Sequence, residues 1–240
     1  LLIPLCLESL NIVFVLSDRE RRRLLQVELP RLKHQGFQLL SWEGLSPPPD
    51  ERVWLMDHRE FMNAFANGKL SSQQLIFSEA EFLSMRLRDA MMLEIRQENW
   101  EQLRRTYPSL DSALLDIYQR FSKRLFMQAT RVNDQVSIDI NESMALRDLL
   151  AIVGPLPAPW PKVLQAITHG WASWANLNHK TLDWIWFLQP LEPLKIIERL
   201  LSDSSFMMLT SSGQNNLLLA ELEPIDCTLN VAVTLGGPVR

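Results

Sequence analysis

The 240 residues are 47% hydrophobic and 22% charged, an ordinary globular mixture that can bury a core and is too apolar for a disordered chain. A net charge of -4 excludes a protein that binds polyanions through bulk charge, so any nucleic-acid contact has to be local. The two cysteines, Cys6 and Cys227, are far apart and supply neither a disulfide framework nor a zinc or iron–sulfur ligand set, which points to a reducing, cytoplasmic setting.

Leu1–Leu7 is apolar and reads as the last turns of a helix. It lacks the basic start of a signal peptide, and Glu8 interrupts it. No apolar run reaches the roughly 18 residues that span a bilayer. Leu rather than Met at position 1, and Gly236–Arg240 directly after a strand-like run, read as cut ends of a longer protein.

Asn11–Leu16 is a continuous apolar, partly β-branched run, as expected of a strand buried on both faces. Ser17-Asp18 offers a helix cap, and Arg19–Leu29 carries Leu24, Leu25 and Leu29 on one face until Pro30 limits it. Phe37–Trp42 reads as a strand and Ser46–Asp50 as a loop. Val53–Met56 is a second buried strand, Glu60–Ala66 a helix, and Gln74–Phe77 a third strand ending at Ser78. From there to Ala129 the pattern is helical, with a break near Tyr107-Pro108.

Val136, Ile138 and Ile140 alternate as in a short strand. Gly154–Pro161 reads as a stiff linker and Lys162–Leu177 as a helix. Asp183–Leu188 and Ser205–Leu209 read as strands flanking a helix over Leu191–Leu201, and Cys227–Thr234 as a last strand. Strands alternating with helices predict an α/β fold with a largely parallel sheet, interrupted by a mainly helical insert.

Three segments carry chemistry. Gln74–Phe77 runs into Ser78-Glu79-Ala80-Glu81, and carboxylates at the carboxyl end of a central strand suit metal holding and water polarisation. Ser78 with Glu81 three residues on also spells a capping box. The strand at Phe206 runs into Thr210-Ser211-Ser212-Gly213, a turn able to grip phosphate or simply to turn. Arg19, Arg21, Arg22, Arg23, Arg31 and Lys33 against Glu20 and Glu28 leave +4 on one helix; this is a phosphate-contact face or a solvated one. Trp171 and Trp174, or Trp184 and Trp186, could stack bases, although core packing is the commoner role. His58 and His169 have no partner at ligand spacing, so no metal site is expected. No Gly-x₄-Gly-Lys-Ser/Thr loop is present, since Gly68-Lys69 has Asn63 and Leu70 at the decisive positions.

The order of these segments resembles the DinG/XPD branch of superfamily 2 DNA helicases, most closely the divergent DinG-like helicases of cyanobacteria. Asn11–Leu32 looks like the family's DNA-contacting segment, and Val53–Phe61, with Asp57-His58, is similar to its Asn-His-Ala-Leu strand end. Ile76–Leu83 sits where the family writes Ile-Ile-Asp-Glu-Ala-His-x-Leu. Asp183–Leu201, with Gln189-Pro190-Leu191, resembles the stretch before motif III, and Leu209–Gly213 resembles Thr-Ser-Ala-Thr.

The resemblance implies a RecA-like first motor domain over 1–90 and 178–240, N-terminally truncated, with an arch-like insert over 91–177. It implies catalytic roles for Glu79, Ser78 and Glu81, coupling roles for Thr210 and Ser211, and DNA contacts for Arg21, Arg22, Arg23, Arg31 and Lys33. ATP and Mg²⁺ would serve the full-length protein, whose partners would be single-stranded or forked DNA and a second motor domain of the same chain, with no membrane. Ser78 stands where the family's metal-holding aspartate belongs, Glu81 replaces its coupling histidine, and Ser212-Gly213 replaces Ala-Thr. The four cysteines of the family's iron–sulfur cluster are absent. A competing expectation is a non-catalytic, helicase-derived DNA-binding or scaffold protein.

Overall fold

The computed structural model describes residues 2–7, 11–50, 52–70, 73–128 and 133–210. These form two compact units: one holds the residues up to Leu87 together with those from Glu192 on, the other Arg88–Leu191.

In the first unit, strands β1 (Ile12–Val15), β2 (Ser41–Trp42), β3 (Val53–Met56) and β4 (Gln74–Phe77) join one sheet. The apolar runs of β1, β3 and β4 are buried along nearly their whole length, which is what a sheet covered on both faces demands. Only Ser41-Trp42 of the expected Phe37–Trp42 strand pairs. The chain then passes through the second unit, with β5 (Leu93–Ile95), β6 (Asn133–Ser137), β7 (Ala172–Asn178) and β8 (Asp183–Gln189), before β9 (Phe206–Met208) returns to the first sheet. The first sheet runs β2-β3-β1-β4-β9, every neighbouring pair parallel, with Val15, Met56 and Phe77 in register and Phe77 opposite Met208. One face packs Ile12, Phe14, Leu24, Val53, Leu55 and Ile76; on the other, Phe61 meets Phe77 edge to face at 5.3 Å.

The basic helix corrects one expectation. It does not end at Pro30 but continues from Asp18–Arg23 through Leu24–Glu28 to Leu29–His34. Leu24–Glu28 is a π-helical turn, with Leu29 N–H bonded to Leu24 O, and the widened turn takes up the proline that would otherwise break the ladder. Gly36, at φ 85°, ends the run.

The second unit is not simply helical. Its four strands form an antiparallel sheet in the order β5-β8-β7-β6, and helices Gln97–Thr106, Asp111–Gln128, Ile140–Ile152 and Trp160–Thr168 contribute to a single core with one face of it. Trp100 is central there, 5.0 Å from Trp160 and 6.2 Å from Trp186 between ring centroids. Two expectations fall with this. Asp183–Gln189 is not a strand of the parallel sheet: it pairs with β5 and β7, which moves the boundaries from 91 and 177 to Arg88 and Leu191. The helix expected over Lys162–Leu177 stops at Thr168, because Gly170 takes φ 66° and Trp171 N–H closes back on Ala166 O at 3.0 Å. The chain from Ala172 is then free to extend as β7.

Candidate functional site

Parallel pairing brings the carboxyl ends of β1, β3, β4 and β9 to one rim. Ser17, Asp57, Ser78 and Thr210, each one or two residues past its strand, share it. The connection out of β1 runs toward β2 and the one out of β4 toward β9, in opposite directions across the sheet. The crevice between β1 and β4 is therefore a topological switch point, where open α/β sheets hold their ligands.

Ser78 lies in that crevice and is 5% exposed. Its N–H bonds Val15 O at 3.1 Å. Its hydroxyl reaches Val15 O at 3.3 Å and Glu20 Oε2 on the first turn of the basic helix. The expected capping box is not formed: the Ser78 hydroxyl points across to β1 and Glu20, and the turn over Ala80–Phe82 opens without a side-chain cap. The cause is Glu79, whose backbone takes the left-handed conformation (φ 46°, ψ 47°) and swings the chain away from Ser78.

The Glu79 carboxylate forms an ion pair with Arg86, whose guanidinium lies 5.6 Å from the centroid of the Phe82 ring. Close by, His58 is 6% exposed and its Nε2 has no hydrogen-bond partner among the described residues. Burial, then the Arg86 charge, push its pKa down to about 4 against the opposing pull of Asp57 and Glu79, so it is neutral at physiological pH. Asp57 and Glu60 form a reciprocal capping box at 2.7 and 2.8 Å. Glu60 also takes Arg21 at 2.7 Å. Glu81 is half-buried and Thr210 exposed, whereas Ser211, Ser212, Gly213 and the strand expected over Cys227–Thr234 lie outside the described residues.

The basic residues do not make one patch. Arg21 is 20% exposed and committed to Glu60 and Asp18. Arg23 and Arg31 both approach Glu28, at 3.2 and 3.9 Å. Arg22 and Lys33 are exposed, but twelve residues of helix carry Lys33 about 18 Å along the axis from Arg21. The tryptophans divide as well. Trp184 and Trp186 are core, Trp171 packs partly against it, and Trp174 lies on the opposite sheet face, stacked on Phe187.

The donors Mg²⁺ would meet here are the Ser78 hydroxyl, which gives its proton to Glu20 or Val15 O, the Glu20 carboxylate beside it, and the Glu79 carboxylate already matched by Arg86. The residues that organise the rim, Glu20, Arg86 and Glu60, had no part in the sequence reading of this site. Glu79 precedes the helix that carries Arg86 and turns left-handed, so no helical spacing announces their pairing. Glu20 and Ser78 come together only through the parallel pairing of β1 and β4. No protein-family model and no curated protein matches this chain.

Proposed function

We propose that this chain is part of a DinG-like ATP-dependent DNA helicase, which couples nucleotide hydrolysis to movement along single-stranded DNA and to unwinding of forked DNA. In this reading the parallel-sheet unit is an incomplete RecA-like first motor domain and Arg88–Leu191 is the counterpart of the arch. ATP, Mg²⁺, the phosphate-binding loop and the second motor domain belong to the full-length cytoplasmic protein.

The observation that carries the reading is the juxtaposition of its two degenerate motifs. Phe77–Ala80 and Leu209-Thr210 follow neighbouring parallel strands and are joined by two backbone bonds of 2.9 Å, Leu209 N–H to Phe77 O and Ala80 N–H to Leu209 O. These bonds tie the residues on either side of Glu79 to Leu209, next to Thr210. Such a link is what coupling a nucleotide state to DNA requires.

The second reading, a non-catalytic DNA-binding or scaffold protein, draws on the internal engagement of Ser78 by Glu20 and of Glu79 by Arg86. Single-stranded-DNA-stimulated ATPase of the full-length protein separates the two. The motor reading expects Glu79→Gln to lower the rate at least tenfold, and Ser78→Asp with Glu20→Gln to raise it; the second substitution removes the like charge that Ser78→Asp alone would face. No ATPase in any of the three proteins leaves the scaffold reading.

A further inference from the structure

The face of the second unit's sheet that its helices leave uncovered carries a feature that neither the rim nor the basic helix uses. Trp174 on β7 and Phe187 on β8 are register partners, with rings 5.6 Å apart at 12°. They alternate with Ala175, Trp186 and Leu188, which point into the core with all four helices. Their neighbours in the same row, Ser137 on β6 and Glu94 on β5, are exposed. So are Gln135 and Asn176 in the next row. Trp174 and Phe187 are themselves half-buried, with exposed polar side chains on both flanks.

Guanidiniums approach both ends of the row, that of Arg124 from the side the helices cover. Arg124 donates to Ser137 O at 3.4 Å, and Arg96 pairs with Glu94. Three strand intervals of roughly 4.8 Å put these ends about 14 Å apart. A protein-docking patch would surround the rings with aliphatic and further aromatic side chains. Here hydroxyl, amide and charged groups outnumber the aliphatic neighbours, which are Ile185 in one adjoining row and Ala172 in the other.

We infer that this face stacks the bases of single-stranded nucleic acid. Trp174 and Phe187 take one base each, Asn176 meets a base edge, and Arg96 meets a flanking phosphate. Four-stranded sheets with helices on one face and aromatic side chains on the other bind single strands in this way, and stacking tolerates any sequence because every base offers a π-face. Arg96 and Arg124 are each already matched by a carboxylate, Glu94 and Glu142, so affinity comes from the rings more than from charge. The inference does not depend on the motor reading.

Fluorescence anisotropy of the 240-residue chain tests it with two probes: an oligo(dT) of about twelve nucleotides and an abasic strand of the same length. The chain should prefer oligo(dT) by roughly tenfold or more. Trp174→Ala with Phe187→Ala should abolish that preference while leaving the abasic affinity and the salt slope unchanged, since stacking releases no counterions. Trp174→Phe, which keeps an aromatic face, should retain the preference and lose part of the fluorescence quench on binding. Charge reversal at Arg22, Arg31 and Lys33 should lower the salt slope, if the basic helix also binds, and leave the preference intact. Equal binding of both probes, no binding of oligo(dT) at about 50 mM salt, or an unchanged preference in the double variant would overturn the platform. None of these results bears on ATPase, so the motor reading fails or stands separately.

Discussion

Ser78 and Glu79 each hold a conformation that their neighbours enforce. Removing the Ser78 hydroxyl leaves Glu20 without its buried donor, so Ser78→Ala should destabilise the chain by about 1–2 kcal/mol, a loss readable by urea unfolding. Ser78→Ala with Glu20→Leu should recover part of it, because the unsatisfied carboxylate goes too. Glu79 allows the backbone to be isolated from the ion pair. Both Glu79→Ala and Glu79→Gly lose the contact to Arg86, but only glycine accepts φ 46° without strain. Glu79→Gly should therefore be more stable than Glu79→Ala by about 1 kcal/mol. Equal stabilities would mean that the left-handed turn is absent in solution.

The elements show which patterns were legible and which competing signals misled. Asn11–Leu16, Val53–Met56 and Gln74–Phe77 are short runs without helical period; the second and third strands match their runs, and the first spans Ile12–Val15 within its own. Ala172–Asn178 was not legible, because the i, i+3 spacing of Trp171 and Trp174 imitates a helix while Gly170, the residue that stops one, precedes it. Leu93–Ile95 was hidden between two helices, being only three residues long. Pro30 misled in the other direction, since a π-helical turn can absorb a proline and nothing in composition announces one. The true stop is Gly36. A Cβ there meets nothing within 4 Å, so Gly36→Ala should cost about 1 kcal/mol through φ alone, and Gly36→Asn less, because Asn tolerates the left-handed region better. Thermal melts of the two variants check the order.

At the scale of the whole molecule, the parallel sheet and its rim were foreseeable from strands alternating with helices, whereas the partition of strands between two sheets was not. Asp183–Gln189 looks like any buried strand along its length, and only its antiparallel partners reveal which sheet owns it. The parallel-sheet unit should also be the first to respond to acid. His58 belongs to the parallel-sheet unit, and its pKa falls from 6.5 to about 4 on folding. The unfolded chain therefore takes up a proton that the native one refuses, and stability present above pH 6.5 is lost as the pH drops toward 4, by at most about 3 kcal/mol. Unfolding at pH 7 and near pH 4.5 should show this loss, and His58→Phe should remove most of it. Six of the eight tryptophans lie in Arg88–Leu191. At low pH the far-UV circular dichroism should accordingly begin to fall before the tryptophan emission shifts.

The pairing of β4 with β9 has a further consequence, in time. About 130 residues separate these neighbouring strands. At roughly 5–20 residues per second, a ribosome delivers β9 some 6–26 s after β4. For that interval the edge of β4 that β9 will occupy stands open, and an unpaired edge is a template for the wrong strand. Arg88–Leu191 emerges within the same interval, with a core of its own. If it folds as it emerges, it replaces a long flexible tether with a compact body, so that β9 has less chain entropy to overcome in reaching its partner. Substitutions that slow the folding of Arg88–Leu191 should then raise aggregation during synthesis while leaving the purified, folded protein unchanged.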